Sequence, residues 1–480
     1  MTTMQDSSLR NRDQLFIDGA WTDPAGSDTY QVINPATEEP VATIPWVGIE
    51  DVDRAVAAAK AAQPAWAATS LGERQELLRR VYHLMQERAD EITTLIATEM
   101  GCPISFGRAF QTGLGLISVG SVPDLLEQVE WTARTENTVV QRVPLGVVGV
   151  ITPWNYPFHQ LVGKVVYAIS AGNTVVAKPS ELAPLDGFVF MEILAEAGLP
   201  PGVVNLVTGP GPVVGERLVK HPDVAMVSFT GSTNVGRRLY ELAAPQVKPL
   251  CLELGGKSAN IWLDDVDVAR YAPEAIFTAF VNTGQTCMAL TRLLVPRPLL
   301  AEAEEALVAA LESYPIGDPL DPSSFLGPLV SAAARDKTHR YIRSGIDQGA
   351  TLISGGDGAP DGLDRGFYAK PTLFSQVTPD MDIARDEIFG PVLPIMPYDT
   401  VDEAVEIAND VPYGLYGGVQ SASRERSVAV AERLQTGGVQ INGGAFNPLS
   451  PFGGVKQSGG GREYGVWGFD EVTALRTLTF

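Results

Sequence analysis

Cys287 follows a run of small polar residues and a glycine, Asn282-Thr283-Gly284-Gln285-Thr286. A lone cysteine is more often a small buried hydrophobe than a nucleophile. Here Gly284 permits close backbone approach and polar groups surround the sulfur, the setting that a reactive thiolate needs. Glu253 ends an apolar run and precedes Leu254-Gly255-Gly256-Lys257. A carboxylate in apolar surroundings is costly unless it is paired or used. Two readings fit it: a cap on the following turn, or a general base whose pKa its surroundings raise. Asn155 lies between two prolines and two aromatics in Pro153-Trp154-Asn155-Tyr156-Pro157. An ordinary loop fits that pattern, and so does an amide fixed as an oxyanion donor.

The glycine loops are less informative. Gly209-Pro210-Gly211 followed by Gly215 misses the G-x-G-x-x-G spacing. Gly231 and Gly236 have P-loop spacing, but Arg237-Arg238 stands where Lys-Ser/Thr is required. Neither a standard dinucleotide fingerprint nor a nucleotide triphosphatase is supported, although glycines after strands leave room for an anion at a helix N-terminus. The histidines His83, His159, His221 and His339 lack zinc-ligand spacing and read as structural or surface residues, so no metal is expected.

These residues need elements to position them. Short β-branched runs occur at Val147–Ile151, Thr174–Ala177, Val203–Val207, Met226–Phe229 and Pro249–Glu253, alternating with helical stretches such as Pro184–Ala197 and Gly211–His221. Apolar strands alternating with helices predict βαβ units and a parallel sheet covered on both faces. Ligands bind such sheets beyond the carboxyl ends of the strands, which is where the segments around Asn155, Lys178, Ser232 and Glu253 fall. A second βα-rich region runs from about Gly255 to Phe446. Ahead of the first sheet, Leu15–Pro45 holds short β-type runs. Asp51–Ala67 reads as a helix, and Ser70 with Glu73 has capping-box spacing before an amphipathic stretch reaching about Met100. Glu127–Val143 reads as a polar hairpin about Glu136-Asn137, and Val472–Phe480 as a strand.

Composition bounds the answer. The 480 residues, 45% of them hydrophobic, suffice for several domains and a large core. Asp plus Glu outnumber Lys plus Arg by 57 to 35, giving a net charge of -22 that disfavours a nucleic-acid partner. Three cysteines do not make a disulfide scaffold and point to a reducing compartment. Met1–Arg12 is polar and lacks the apolar core of a signal peptide, and no run of 18 apolar residues occurs. The expectation is a cytoplasmic protein with no membrane partner.

Together the segments resemble the NAD(P)-dependent aldehyde dehydrogenase superfamily. The matching pieces are P-W-N-Y-P at Pro153–Pro157, K-P-S-E at Lys178–Glu181, F-T-G-S at Phe229–Ser232 and L-E-L-G-G-K at Leu252–Lys257. They continue with G-Q-T-C at Gly284–Cys287, E-I-F-G-P at Glu387–Pro391 and S-P-F-G-G-V-K-Q-S-G at Ser450–Gly459. They stand in the family's order and span nearly the whole chain.

The resemblance implies an α/β fold with three parts. A Rossmann-type cofactor domain would take residues 1–125 and 144–254, and an α/β catalytic domain residues 255–457, with 458–471 returning from it. A small β oligomerisation flap would take residues 126–143 and 472–480, giving a homodimer or homotetramer. By resemblance Cys287 is the nucleophile, Asn155 and the Cys287 N–H hold the oxyanion, Glu253 activates water, and Lys164 and Glu463 relay protons. Lys178, Ser180 and Glu181 would face the adenosine ribose of NAD, and Gly211, Gly231 and Ser232 the pyrophosphate side. Thr152 and Trp154 follow the first strand of the cofactor site. Glu387 would hold the nicotinamide ribose, with Phe389 beside it. Glu181 favours NAD⁺ over NADP⁺, with residual NADP⁺ use.

The pocket implied by resemblance is lined by Trp154, Tyr156, Thr286, Met288, Phe446 and Phe452, with no Arg or Lys among them. That favours an uncharged aliphatic or aromatic aldehyde. Gly163, where many members carry a bulky aromatic, implies a wider entrance. A CoA-acylating relative would lack the carboxylate at Glu253, a cysteine hydrolase would need a histidine base, and a non-catalytic relative would have lost Cys287 or Glu253.

Overall fold

The computed structural model describes residues 11–480. The leader reading made on Met1–Arg12 therefore falls almost wholly outside the described residues.

The continuous apolar runs form the centre of an eight-stranded sheet. Its order is Gly459–Gly460, Leu250–Glu253, Val224–Thr230, Val147–Ile151, Thr174–Lys178, Val204–Leu206, Leu15–Ile17 and Ala20–Thr22. The strands from Leu250–Glu253 to Val204–Leu206 are parallel, and both edges close with antiparallel partners. Side chains alternate across this sheet. Val148, Val150, Val175 and Ala177 enter one apolar cluster, while Val147, Ile151 and Val176 enter the cluster on the opposite face. Because both faces are covered, these strands carry no polar alternation.

Helix Pro157–Ser170 is buried along its whole length, starts with a proline at its first position, and packs against the sheet and helix Gly113–Gln128. A second, seven-stranded sheet runs Thr351–Ser354, Thr372–Ser375, Val392–Tyr398, Arg292–Pro296, Ala259–Trp262, Tyr416–Gln420 and Gly438–Ile441. It is parallel apart from its first strand.

The polar hairpin forms as read, with strands Thr132–Thr135 and Thr138–Pro144 and Glu136 in left-handed backbone geometry at its turn. The C-terminal strand Thr473–Thr479 pairs antiparallel with Thr138–Pro144 along its full length. Two helical readings need adjustment. The stretch after Ser70 is two helices, Leu71–Glu87 and Ala89–Met100, and the break at Arg88 places its guanidinium against Glu91 and Glu192. The capping box itself forms, with Glu73 N donating to Ser70 Oγ at 3.2 Å and Ser70 N to Glu73 Oε2 at 2.7 Å. Gly211–His221 begins as a wide π-helical turn over Gly211–Gly215, where Pro212 lacks an N–H, and becomes α-helical only over Glu216–Lys220. No helix among the described residues is long and apolar enough to cross a membrane.

Candidate active site

Strand register brings the motif residues to one edge of the first sheet. Ile151 pairs with Lys178 and with Phe229, and Thr230 pairs with Glu253. The segments that follow these strands therefore open on the same side. Gly231 N donates to the Glu253 carbonyl at 3.0 Å, locking two of the turns together.

Helix Val268–Phe280 delivers the chain to the cysteine. Asn282, Thr283 and Gly284 then follow with φ of 56°, 58° and 76°. Left-handed geometry is unfavourable for Asn and more so for β-branched Thr, so surrounding contacts must impose it. Thr283 Oγ1 donates to Gly327 O and accepts from Gly327 N, both at 3.1 Å. Gln285 Oε1 accepts from Val330 N at 3.0 Å. Gly284 is required twice over, by its φ and because a Cβ there would overlap the Gly390 carbonyl.

The turn leaves Cys287 half-buried two residues after Gln285, whose carbonyl accepts from Asn155 Nδ2 at 3.0 Å. That bond uses one of the two amide protons and leaves the other available to a further acceptor. The Asn155 carbonyl is itself clamped by Gln111 Nε2 at 2.7 Å and Asn282 Nδ2 at 3.0 Å. Gln111 belongs to a π-helical turn, Gly107–Thr112, a geometry that often marks functional positions. Burial, reinforced by the charges of Glu253 and Glu387, pushes the Cys287 thiol up to about 12. The backbone N–H groups of Met288 and Cys287 act in the opposite sense.

Glu253 is buried, and neither carboxylate oxygen has a hydrogen-bond partner among the described residues. Burial raises its pKa well above the usual carboxylate range, and the charge of Glu463 adds to this while Lys164 and Arg462 oppose it. Lys164 Nζ donates to Ser228 Oγ at 3.0 Å and forms an ion pair with Glu463. The backbone of Glu463 pairs with Phe452 through two bonds of 2.8 Å.

At the end of strand Thr174–Lys178, Lys178 Nζ is buried, donates to Pro179 O at 3.0 Å and stands 3.5 Å from Glu181 Oε2. Its burial lowers the ammonium pKa. Ser180 Oγ accepts from Leu182 N at 3.3 Å. Ser232 caps helix Thr233–Ala243, accepting from Val235 N at 3.4 Å, while Gly211 stands half-exposed at the start of its π turn. The Thr152 hydroxyl is buried without a partner among the described residues. Glu387 Oε1 accepts from Gly256 N at 2.9 Å, and burial raises its carboxyl pKa. Phe389 takes a left-handed φ of 61° and meets the Trp154 ring edge-on at 5.4 Å. A buried ammonium, a free buried hydroxyl and a capping serine beyond the strand ends of the first sheet, with the Glu387 carboxyl bonded to Gly256, are donors and acceptors suited to a dinucleotide.

Around the thiol, the Tyr156 hydroxyl and Thr286 Oγ1 lie 2.8 Å apart, and Phe446 meets Phe452 edge-on at 6.0 Å. Met288 is half-buried beside Cys287. Phe106, missed in the sequence, reaches Tyr156 edge-on at 6.2 Å. The wider entrance expected at Gly163 is not formed. Gly163 is buried, and a Cβ there would lie 3.0 Å from the ring of Tyr464, which occupies that space. Tyr464, Gln111 and Asn282 carry no local motif, and Tyr30, near enough to Glu181 to feel its charge, comes from an N-terminal strand far away in sequence.

Comparison with known proteins agrees with this architecture. The aldehyde dehydrogenase family model matches residues 21–478. A 3-succinoylsemialdehyde-pyridine dehydrogenase from a Pseudomonas species is 45% identical over 471 residues, covering 98% of this chain and 99% of that protein. A cysteine-to-alanine variant of aldehyde dehydrogenase C from Pseudomonas syringae, solved with NAD⁺ and octanal, superposes with a TM-score of 0.96 at 45% identity, covering 97% of this chain and 96% of that one. An aldehyde dehydrogenase from Mycobacterium tuberculosis, solved with NAD⁺, gives a TM-score of 0.96 at 41% identity over 99% of both chains. The chain belongs to the aldehyde dehydrogenase family and has its α/β fold.

Proposed function

We propose that this enzyme oxidises an uncharged aldehyde to its carboxylic acid with NAD⁺, through a thioester on Cys287. The observation that carries the reading is the unpartnered, buried carboxylate of Glu253 within electrostatic reach of the Cys287 sulfur. An acidic side chain kept free of partners in a core is costly unless it has a chemical task.

Cys287 attacks the aldehyde carbon once its thiol has lost a proton, a step that Glu253, as the nearby base, is placed to assist. The free proton of the Asn155 amide and the Cys287 N–H receive the charge that develops on the carbonyl oxygen. NAD⁺ supplies the hydride acceptor. Lys178, Glu181 and Ser180 would hold its adenosine end, Thr152, Ser232, Gly231 and Gly211 its middle, and Glu387 with Phe389 and Trp154 its nicotinamide end. Glu253 then takes a proton from water as that water attacks the thioester, and the carboxylic acid leaves with Cys287 restored. Lys164 and Glu463 move the proton away from Glu253. NADP⁺ is used less well, since Glu181 opposes a 2′-phosphate.

The pocket residues Trp154, Tyr156, Phe446 and Phe452 are aromatic and none of the six expected lining residues is a cation, which supports an uncharged substrate. Relatives point the same way, one solved with octanal and one named for a pyridine semialdehyde. The flap formed by the hairpin and the C-terminal strand exposes Leu475, Leu478 and Phe480, which supports assembly into a dimer or tetramer through that sheet.

The test is a panel of aldehydes with NAD⁺, followed by absorbance of the reduced cofactor. Aliphatic and aromatic aldehydes should be oxidised, and Cys287→Ala should abolish turnover while still binding NAD⁺. Substantial turnover in that variant would overturn the mechanism.

A further inference from the structure

Two side-chain amides from different parts of the chain meet at the backbone carbonyl of Asn155, and one of them has no role in the proposed chemistry. Asn155 is buried, and its carbonyl accepts from Gln111 Nε2 at 2.7 Å and from Asn282 Nδ2 at 3.0 Å. Asn282 belongs to the nucleophile turn. Gln111 comes from a helical segment 44 residues before Asn155.

Gln111 is fully buried, and its Oε1 has no partner among the described residues. A buried amide satisfied on one side only is less favourable than an apolar side chain of similar size. Packing alone therefore does not ask for glutamine here. What the amide adds is its bond to Asn155.

The turn that carries Gln111 aims it. Gly107–Thr112 is π-helical, and Gly113 N donates to Arg108 O five residues back. Gly113 permits this closure, since a Cβ there would lie 3.0 Å from that same carbonyl. A π turn inserts one residue into a helix, which rotates Gln111 by about 100° relative to helix Gly113–Gln128. The turn is pinned on both sides of Gln111. Thr112 Oγ1 lies 2.8 Å from Thr93 Oγ1, and the Phe110 ring stacks on Phe106 at 4.8 Å. Phe106 in turn meets Tyr156, the residue after Asn155, edge-on at 6.2 Å.

Fixing the Asn155 carbonyl fixes the peptide from which its side chain departs. The side-chain amide then reaches Gln285 O at 3.0 Å, and its second proton has a set direction. A donor to an oxyanion acts by being held in place before charge develops, so a donor free to swing loses much of its effect.

We propose that Gln111 is a positioning residue of the oxyanion hole and acts on the reaction only through Asn155. This rests on the reading of Asn155 as the oxyanion donor and adds the residue that holds it. The Gln111 amide bonds the Asn155 backbone, not the reacting atoms.

The test is a double-variant cycle with octanal and NAD⁺ in the wild type, Gln111→Leu, Asn155→Ala and the two combined. Asn155→Ala should lower kcat by about a hundred- to a thousand-fold. Gln111→Leu should lower kcat by about ten-fold with KM for octanal and for NAD⁺ unchanged, the split expected when an interaction made in the transition state is lost. Added to Asn155→Ala, Gln111→Leu should cost less than about two-fold more, because the group it positions is already gone. A merely structural glutamine would cost the same in both backgrounds. Gln111→Glu keeps the shape and decides the matter if leucine packs poorly. A protonated carboxyl donates to the Asn155 carbonyl and an ionised one cannot, so the kcat of this variant relative to the wild type should fall as pH rises. Equal losses in both backgrounds, or a Gln111→Leu variant with wild-type kcat, overturn the role of Gln111 and leave the oxyanion hole standing. An unimpaired Asn155→Ala overturns the oxyanion reading and this assignment with it.

Discussion

Lys164 and Glu463, 299 residues apart in the chain, form an ion pair in the core within electrostatic reach of Glu253. The two act on that carboxylate in opposite directions, Glu463 raising its pKa and Lys164 lowering it. Breaking the pair from either side should therefore displace the acidic limb of the hydrolytic step oppositely. Lys164→Met should move the pH profile of kcat to higher pH, and Glu463→Gln should move it to lower pH. Displacement in the same direction would show that the pair does not act through Glu253. Both variants should also be destabilised by about 3–5 kcal/mol, since each leaves one buried charge uncompensated.

Glu253→Gln removes the base but keeps the shape of the side chain. Hydrolysis of the thioester should slow by at least about a hundred-fold, and acylation of Cys287, whose deprotonation Glu253 assists, should slow less. Rapid mixing should show a stoichiometric burst of reduced cofactor followed by slow turnover. Absence of the burst, with steady-state turnover at the wild-type level, would make Glu253 structural.

Glu181 shares its neighbourhood with the Lys178 ammonium at 3.5 Å. Replacing it with Thr removes the charge that opposes a 2′-phosphate and frees the ammonium to pair with one. The ratio of kcat/KM for NADP⁺ over NAD⁺ should rise about ten-fold. A wild type that already prefers NADP⁺ would make Lys178 the dominant contact.

A second buried carboxyl pair bears on stability. Glu99 accepts from Leu185 N at 2.8 Å and from Asp186 N at 3.2 Å, capping helix Leu185–Glu196. Burial raises both carboxyls, and the Asp186 charge raises Glu99 further. The folded state therefore holds protons that the unfolded chain gives up. Stability falls as pH rises from the unfolded carboxylate range through the folded pKa, and it does not recover above it. Asp186→Asn should gain in Tm over the wild type as pH is raised from 5 to 8. A Tm difference independent of pH would refute the linkage.

The strands were legible because both faces of the first sheet are covered, which leaves Val147–Ile151 and Leu250–Glu253 as unbroken apolar runs. The hairpin and the C-terminal strand showed through their polar β-branched residues and the turn at Glu136-Asn137. Positions that depend on distant chain segments were not legible. Nothing in Asn282-Thr283 asks for left-handed geometry; Gly327 and Asn155 impose it from elsewhere. Gln111 carries no motif, and only the π turn aims its amide at Asn155. Gly163 read as open space because the ring that fills it belongs to Tyr464, 301 residues later in the sequence.

The antiparallel pairing of Gly459–Gly460 with Leu252–Glu253 bears on biosynthesis. The strand carrying the carboxylate is made about 200 residues before its edge partner and Glu463. Asn173 reaches further still, donating to the carbonyl of Val472 at 2.8 Å. The nascent chain can therefore fold much of the first sheet before these residues are made, but it cannot complete the surroundings of Glu253 until they are. A chain that stops short of Gly459 lacks both this edge strand and the partner of Lys164.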